Sequence, residues 1–301
     1  MANALFGVPN YADFNSLWQP NISGGQWQTG TVLVNGKQTT GSSLANLQNR
    51  FLAYKARTLD CTTGASQFRI NLGRLRGIKT VIIPRHNLSR NANYTVNVYW
   101  DVAGTLLRGT ISGSVYPQTF PFGSVSFEDD SFWDGKLSAE KALGYTQPLI
   151  AVFDTPVVGW IVEVLINDTT NPAGYVELAR VIVAPGYQPT VNIKLGSQVG
   201  VTDPTIKTTS LGEVDFFDQR KRRRVAIVSI DYLPTNEAFA NFFDMMMLQG
   251  TSGQIFFSWD PADTANLYRH SFLATPDKLD PLTAASYGYM GAAWSLTEVV
   301  G

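Results

Sequence analysis

Two histidines, His86 and His270, supply all the imidazoles of this chain, so a serine or cysteine nucleophile would need one of them as its base. Neither is accompanied by the Gly-x-Ser-x-Gly motif of a nucleophile turn. The sequence also lacks the His-Glu-x-x-His motif of zinc enzymes, the glycine-rich loops that bind phosphates and the acidic loop of EF-hands. We therefore expect that the protein is not an enzyme, that it uses no cofactor and that both histidines are structural.

One acidic stretch, Glu128–Asp130, places three carboxylates next to one another. Two aromatic residues, Phe132 and Trp133, follow it closely. Such a stretch can be a solvated loop, or it can bind a hard cation such as Ca²⁺ through oxygen ligands. It can also flank a sugar as the carboxyls of a glycosidase do, with the rings stacked on the sugar. We predict a solvated loop, and we keep Glu128, Asp129 and Asp130 as cation candidates.

Five consecutive cations occupy Arg220–Arg224, immediately before an apolar run that starts at Val225. They could hold phosphates, but the chain has 23 basic and 24 acidic residues, and the run lacks the interleaved aromatic residues that stack on nucleotides. Strand alternation would divide the cations between two faces of a sheet. We predict an exposed or interfacial strand start, with Arg222, Arg223 and Arg224 at a subunit interface, and no nucleic-acid partner.

The elements that must position these residues are mainly strands. Apolar and polar residues alternate and β-branched residues are frequent in four runs, at 68–72, 79–83, 94–100 and 160–166. Turn-forming Asn, Asp and Gly residues separate the runs. Short strands with frequent turns predict a mainly β protein built on an antiparallel β-sandwich.

One amphipathic helix is predicted at 235–249. Thr235 can cap its first turn, and Gly250 can end it. Between them, apolar residues recur with helical spacing, at Phe239, Phe242, Phe243, Met246 and Met247. Strand-like runs flank the helix on both sides, so we expect its apolar stripe to pack on a sheet.

The chain divides into three parts by composition. A Pro- and Gly-rich stretch at 185–189 interrupts the strand pattern and indicates a boundary. We expect an N-terminal arm over 1–30, a β-sandwich over 31–186 and a smaller β-rich domain with the helix over 187–301.

Low charge density favours a protein that works in an assembly. Charged residues make up 16% of the chain, against roughly 25% in average soluble proteins, and aromatic residues make up 12%. A surface this neutral is typical of a subunit that partners cover. The arm is too short for a core of its own, so we expect a homo-oligomeric ring whose interface includes Phe6, Tyr11, Phe14 and Trp18.

The cellular compartment is predicted from the cysteine count and from the lack of an apolar span and of a secretion signal in this sequence. Cys61 is the only cysteine, so an internal disulfide cannot form. No run approaches about 18 uncharged apolar residues, which predicts that the chain has no membrane span. The first ten residues have neither the basic nor the apolar part of a secretion signal, so we expect synthesis in a reducing cytoplasm.

Several strand-like segments together resemble a discoidin-like (galactose-binding-like) β-sandwich, over about residues 45–185. They are 67–73, 77–83, 87–88 and 94–99 for its first half, and 160–166 and 174–183 for its closing strands. The resemblance implies that fold for the middle domain. Secreted members commonly close the sandwich with a disulfide, for which Cys61 has no partner. The resemblance leaves open a shallow glycan or partner site formed by Arg85, His86, Asn87 and Trp133.

A narrower resemblance is to virion structural proteins of tailed bacteriophages. It is carried by the segments 9–13, 24–27, 44–47 and 85–89. It implies a ring-forming subunit of a tail tip or baseplate, of the distal-tail or fibre-anchoring type. Its partners would be tail tube, hub and fibre proteins, and its location the virion after synthesis in the host cytoplasm. The alternative is a carbohydrate-binding module that contacts a host surface glycan, and the third function is a glycoside hydrolase using Asp129 or Asp130.

Overall fold

The computed structural model describes residues 2–13, 16–18, 27, 32–34, 37–39, 43–64, 66–138, 140, 145 and 147–300, with the backbone alone at 16–18, 32–34 and 37–39. The chain forms two compact units. The N-terminal unit comprises Gly7–Gly186 and Pro261–Arg269, and the C-terminal unit comprises the residues up to Phe6, Tyr187–Asp260 and those from His270 onward.

Strands make up most of the regular structure in the described residues, which confirms the prediction of a mainly β protein with one amphipathic helix. The strands are β1 (Leu5–Gly7), β2 (Ser16–Trp18), β3 (Val32–Val34), β4 (Lys37–Thr39), β5 (Lys55–Arg57), β6 (Phe68–Ile83), β7 (Arg85–His86), β8 (Asn93–Tyr99), β9 (Leu107–Ser114), β10 (Leu149–Asn167), β11 (Glu177–Ala179), β12 (Ile182–Ala184), β13 (Gln198–Thr202), β14 (Ile206–Thr209), β15 (Asp215–Asp218), β16 (Arg223–Pro234), β17 (Ile255–Ser258), β18 (Ser271–Leu279), β19 (Thr283–Ser286) and β20 (Tyr289–Glu298).

Helices are few in the part of the chain that the structure describes. A 3-10 helix spans Leu44–Gln48, helix α1 follows β16, and helix α2 spans Leu267–His270. Helix α1 has three consecutive parts, Thr235–Glu237, a π-helical Ala238–Phe243 and Asp244–Gln249. None of the described helices has the length and apolar character needed to cross a membrane.

The main sheet of the N-terminal unit has the order β12-β6-β10-β8-β9, with β2 paired to β6, and its pairings are antiparallel. A second sheet has the order β5-β11-β7. Phe68, Ile70 and Leu72, at alternate positions of β6, are buried and join one core with residues of β8 and β10. Burial of one face fixes the strand register, because a shift by one residue would turn the apolar set to solvent.

The C-terminal unit has a sheet of its own, with the order β1-β17-β18-β20-β16-β13 and with β19 paired to β20. Strands β14 and β15 form a separate antiparallel pair. The unit's aromatic core includes Phe6, whose ring centroid lies 5.6 Å from those of Phe242 and Phe257 and 6.4 Å from that of Trp294.

Within the range 1–30 expected for the arm, the described residues up to Phe6 belong to the C-terminal unit, and those from Gly7 belong to the N-terminal unit. Leu5 and Phe6 are fully buried in β1, the strand beside β17 in the C-terminal sheet. This corrects the expectation that Phe6 lies at a subunit interface, since its ring is already covered within the chain. Tyr11 is half-buried, with its ring 4.4 Å from the guanidinium carbon of Arg76. Phe14 and the side chain of Trp18 lie outside the described residues.

Helix α1 has the predicted range, 235–249, but its buried face differs from the predicted stripe. Phe242 and Met246 are buried as expected, together with Ala238 and Met245, while three predicted members of the stripe are exposed. These three are Phe239, Phe243 and Met247. The predicted stripe is wider than the line along which the helix packs, so one of its edges stays uncovered.

Arg224 is buried inside the C-terminal unit, which corrects its expected place at a subunit interface. Its Nε donates to Oε2 of Glu298 at 3.0 Å, its Nη2 donates to Oε1 of Glu298 at 2.5 Å, and its Nη1 donates to the carbonyl oxygen of Ser271 at 3.1 Å. Arg223, one position earlier in β16, is exposed because successive strand residues face opposite sides. Arg222 and Arg223 therefore remain on the surface.

Candidate ligand-binding surface of the N-terminal unit

A long loop without helix or strand, residues 115–138, follows β9; we call it the aromatic loop. The carbonyl oxygen of Gly135 accepts hydrogen bonds from the amides of Thr119 and Phe120, both at 2.8 Å. The amide of Gly135 donates to the carbonyl oxygen of Ser131 at 2.9 Å. These bonds join the two ends of the loop, so the residues between them form a closed, self-contacting segment.

Four rings of this loop, Phe122, Phe127, Phe132 and Trp133, pack on one another and form what we call the aromatic cluster. The centroid of Phe132 lies 5.1 Å from Trp133, 5.2 Å from Phe127 and 5.7 Å from Phe122, in the range of edge-to-face and tilted ring contacts. Phe132 is half-buried, whereas Phe122 is 76%, Phe127 68% and Trp133 74% exposed. The loop thus presents three large rings to solvent around a fourth.

Two cations fasten the aromatic loop to the rest of the unit. Nη2 of Arg90 donates to Oδ1 of Asp134 at 2.5 Å and to the carbonyl oxygen of Lys136 at 2.8 Å. Nζ of Lys136 donates to the carbonyl oxygen of Arg90 at 2.9 Å and to Oγ of Ser114 at 3.0 Å. Burial lowers the pKa of Lys136 below its ordinary value. The rings are therefore carried by a loop whose geometry is set before any ligand arrives.

Tyr116, at the start of the aromatic loop, lies over the predicted site residue His86. Their ring centroids are 5.9 Å apart at 80°, and the Tyr116 hydroxyl donates to the carbonyl oxygen of Leu88 at 3.0 Å. Burial raises the pKa of Tyr116 to about 12 and lowers that of His86 to about 4. His86 is therefore a neutral, structural imidazole near neutral pH.

A small cavity lies beside Tyr116, lined mainly by apolar residues such as Val115, Leu137 and Leu267. Its volume of about 20 Å³ is enough for a water molecule and too small for a sugar ring. A ligand of the aromatic cluster would therefore bind on the surface.

Asn87, a second predicted site residue, is used to join two sheet segments. Its Nδ2 donates to the carbonyl oxygen of Tyr175 at 3.0 Å, and its Oδ1 accepts from the amide of Glu177 at 2.7 Å. Arg85 lies in β7, which pairs with β11. Of the four residues predicted as a glycan or partner site, Trp133 alone belongs to the aromatic cluster.

The acidic stretch of the aromatic loop has the character of a solvated turn. Oδ1 of Asp129 accepts a hydrogen bond from the amide of Ser131 at 2.9 Å, and Glu128 and Asp130 are exposed. Within the described ranges, no three His, Cys, Asp or Glu side chains are grouped so that they could hold a metal ion.

The main sheet carries a buried hydrogen-bond network around Glu163 that the sequence analysis does not predict. Glu163 is 6% exposed, and its carboxylate accepts from Nε of Arg69 at 2.7 Å, from Nδ2 of Asn97 at 3.0 Å and from the hydroxyl of Tyr99 at 2.8 Å. Burial raises the pKa of Glu163, but these hydrogen bonds outweigh burial and hold the pKa below its ordinary value. The sequence feature that could have indicated this network is the placing of polar residues at alternate positions of the predicted strands. In the structure, Glu163 pairs in register with Arg69 and Asn97.

The aromatic cluster can bind a ligand that has both an apolar face and polar edges. An exposed ring can cover the C–H face of a sugar, and this removes apolar surface of both partners from water. The exposed carboxylates of Glu128, Asp130 and Asp134 can accept hydrogen bonds from hydroxyl groups. The arrangement is suited to binding and supplies no nucleophile with an adjacent base.

No family model matches this chain, and no curated protein matches it. Among solved structures, the chain is similar to a family 32 carbohydrate-binding module from C. perfringens in complex with galactose, at 10% identity over 59% of this chain and 98% of that one, with a TM-score of 0.32. It is also similar to a Streptococcus pneumoniae fucose binding module, at 14% identity over 59% of this chain and 95% of that one, with a TM-score of 0.34. A third is the f-lectin (fucolectin) from striped bass (Morone saxatilis) serum, at 12% identity over 98% of this chain and 99% of that one, with a TM-score of 0.30.

The three similar structures are carbohydrate-binding modules and a lectin, and none of the three is a virion protein. The function proposed below rests on contacts within the chain.

Proposed function

We propose that this chain is a carbohydrate-binding protein in which the aromatic cluster holds a glycan at the surface of the N-terminal unit. The observation that carries the proposal is the exposure of Phe122, Phe127 and Trp133 on a loop that hydrogen bonds hold in place. The alternative function expected from the sequence, a glycan-binding module, thereby becomes the main one, with Trp133 as its principal contact.

Physical chemistry favours a ligand on these rings over leaving them in water. Three neighbouring rings form an apolar patch of the kind that marks binding surfaces on soluble proteins. Because Arg90 and Lys136 already fix the loop, binding does not have to order it, and this reduces the entropic cost of association. The exposed carboxylates beside the rings would orient the sugar through its hydroxyls.

The test is direct binding of the full chain to an array of glycans, followed by calorimetry on those that bind. Galactose- and fucose-terminated glycans are the first probes, since two of the similar structures are described with these sugars. Trp133→Ala should weaken binding at least about tenfold, as removal of a central aromatic contact does. Phe51→Ala removes an equally exposed ring of the same unit from a different loop and should leave binding unchanged.

Two results would reject the proposal. One is an array on which the folded wild-type chain binds no glycan. The other is Trp133→Ala binding as tightly as the wild type with unfolding behaviour unchanged.

A second candidate function is the structural subunit of a phage tail tip or baseplate expected from the sequence. The observation that favours it is the C-terminal unit, where apolar side chains such as Phe216 and Phe243 are exposed as they are in a subunit that neighbours cover. Its test is the presence of the chain, in fixed ratio to tail tube and hub proteins, in purified virions. Absence from the particles would reject this candidate and leave the glycan-binding proposal untouched.

A further inference from the structure

The C-terminal unit contains a long stretch that contributes nothing to its core. None of the residues 190–223 is buried. The stretch includes the antiparallel pair β14–β15, which we call the hairpin. Leu211, at the tip of the hairpin, is fully exposed, and Ile206, Phe216 and Phe217 are about half exposed or more. Ordering residues costs conformational free energy that buried apolar surface normally offsets, and this stretch lacks that compensation in a single chain.

The two faces of the hairpin differ in character. Because successive strand residues point to opposite faces, Phe216 shares one face with Ile206, and Phe217 shares the other with Lys207. Nζ of Lys207 lies 5.9 Å from the ring centroid of Phe217 and 2.7 Å from Oδ2 of Asp215, so the Phe217 face already carries a charged group. The face of Ile206 and Phe216 also carries Asp218, whose carboxylate pairs with Arg220 at 3.0 Å. With two exposed apolar side chains against one on the opposite face, it is the more apolar of the two, and we call it the docking face.

A two-stranded hairpin in water is at best marginally stable by itself. The adjacent strand β13 is the last strand of its sheet and pairs with β16 along one edge alone among the described strands. In the part of the chain that the structure describes, the apolar side chains of the hairpin stay exposed. Its docking face is where further apolar surface can be buried.

Helix α1 of the same unit has an exposed apolar surface that could pack against the docking face. Phe239, Phe243 and Met247 are exposed and lie one turn apart along the helix; we call them the helix stripe. The ring centroids of Phe239 and Phe243 are 5.8 Å apart. Residues at this spacing form a continuous apolar line, which is the form of surface that a strand pair can cover.

The surroundings of the helix stripe and of the hairpin carry opposite charges. Helix α1 contains the acids Glu237 and Asp244 and no basic residue. The base of the hairpin carries the exposed cations Arg220–Arg223, of which Arg220 pairs with Asp218 and Arg222 with Asp203, so two of the four positive charges are in excess. A surface with excess positive charge beside its apolar face is complementary to an acidic helix.

We infer that the docking face of the hairpin in one copy packs on the helix stripe of a second copy of this chain. The contact uses two different surfaces of the same unit, so each copy can donate a hairpin and accept another, which gives head-to-tail association that closes into a ring or continues as a filament. The inference goes beyond the proposed glycan binding and does not depend on it, because none of its residues belongs to the aromatic cluster.

The experiment measures the mass of the full chain by light scattering and sedimentation, from low to high micromolar concentration. The wild type should associate. The double variant Ile206→Ser/Phe216→Ser should weaken association at least about tenfold, as loss of central apolar contacts does. Phe217→Ser is the matched control, since it removes an equally exposed ring from the opposite face of the same hairpin, and it should associate as the wild type does.

Mixing tests which surface the hairpin meets. The double variant Phe243→Ser/Met247→Ser should show the same weakened association when it is alone. Mixed with Ile206→Ser/Phe216→Ser, it should form dimers and nothing larger, because the mixture contains one intact hairpin and one intact helix stripe per pair. All four side chains are exposed in the single chain, so unfolding in urea should be unchanged in both variants.

Four outcomes would overturn the inference: a wild type that stays monomeric throughout, association that survives loss of the docking face, association that survives loss of the helix stripe, or association that appears only when another protein is added. Binding of a monovalent sugar, measured on the same variants, should equal that of the wild type. Failure of association therefore remains distinguishable from failure of the glycan site.

Discussion

Arg90 and Lys136 each donate a hydrogen bond to the backbone of the other. Nη2 of Arg90 lies 2.8 Å from the carbonyl oxygen of Lys136, and Nζ of Lys136 lies 2.9 Å from the carbonyl oxygen of Arg90. The reciprocal pair joins the turn after β7 to the far end of the aromatic loop. It is the contact through which a distant residue sets the position of Trp133 and its neighbours.

Arg90→Gln removes the guanidinium group, whose Nη2 donates hydrogen bonds to Asp134 and to the carbonyl oxygen of Lys136. We expect it to lower the free energy of unfolding by about 1.5–3 kcal/mol, the range for hydrogen bonds to charged groups, and to weaken glycan binding because the aromatic loop is no longer held. Urea unfolding and calorimetry measure the two effects. Arg108→Gln, at an exposed arginine whose contact is with the ring of Trp100, should change stability by less than about 1 kcal/mol. Arg90→Gln with wild-type stability and affinity would show that the loop is held by other contacts.

Gly135 and Gly123 offer a comparison within the aromatic loop. Both have positive φ, 63° and 82°, but a Cβ at Gly135 would lie 2.4 Å from the carbonyl oxygen of Phe120, whereas one at Gly123 has no heavy atom within 4 Å. Gly123→Ala should cost about 1 kcal/mol for the left-handed backbone alone. Gly135→Ala should cost about 1–3 kcal/mol more because the backbone must move apart. Urea unfolding measures both, and equal costs would contradict the close approach at Gly135.

The strands were predictable because the alternation of apolar and polar residues is sufficient to indicate them. In β6, β8 and β10, alternation places apolar residues on the face that the core buries, and the predicted runs fall within these strands except for Trp100. The runs 68–72 and 79–83 prove to be parts of the single strand β6. The helix was predictable in extent for a similar reason, but hydrophobic spacing does not show which edge of a wide stripe stays uncovered.

Contacts between residues far apart in the chain were not predictable from local pattern. Arg224 belongs to a run of five cations, and the partner that buries it is Glu298, 74 positions away. The aromatic loop is similar: its rings and acids are visible in the sequence, but Arg90, which holds the loop, lies 46 positions before Lys136. Local composition therefore indicated the aromatic surface, while its geometry depends on long-range hydrogen bonds.

The buried pair of Arg224 and Glu298 should show strong coupling. Glu298→Leu leaves a guanidinium buried without its carboxylate, and Arg224→Met leaves the carboxylate without its cation, so each single variant should lose about 3–5 kcal/mol of stability. The double variant replaces both charges by apolar groups and should be more stable than either single variant. A double-mutant cycle in urea measures the coupling. Additive losses would show that the two side chains act independently.

Burial of His86 should make stability fall in mild acid. Its pKa is lowered to about 4 from an ordinary value of 6.5, so the folded chain binds a proton on this ring less readily than the unfolded chain does. The contribution to stability is therefore full above pH 6.5 and declines as the pH falls toward 4, by up to about 3 kcal/mol. His86→Gln keeps a hydrogen-bond acceptor and removes the titration. Urea unfolding of both proteins across this range should show a wild-type curve that falls more steeply than that of the variant, since every other titrating group is shared. Parallel curves would mean that the folded chain accepts a proton at His86 as easily as the unfolded chain does.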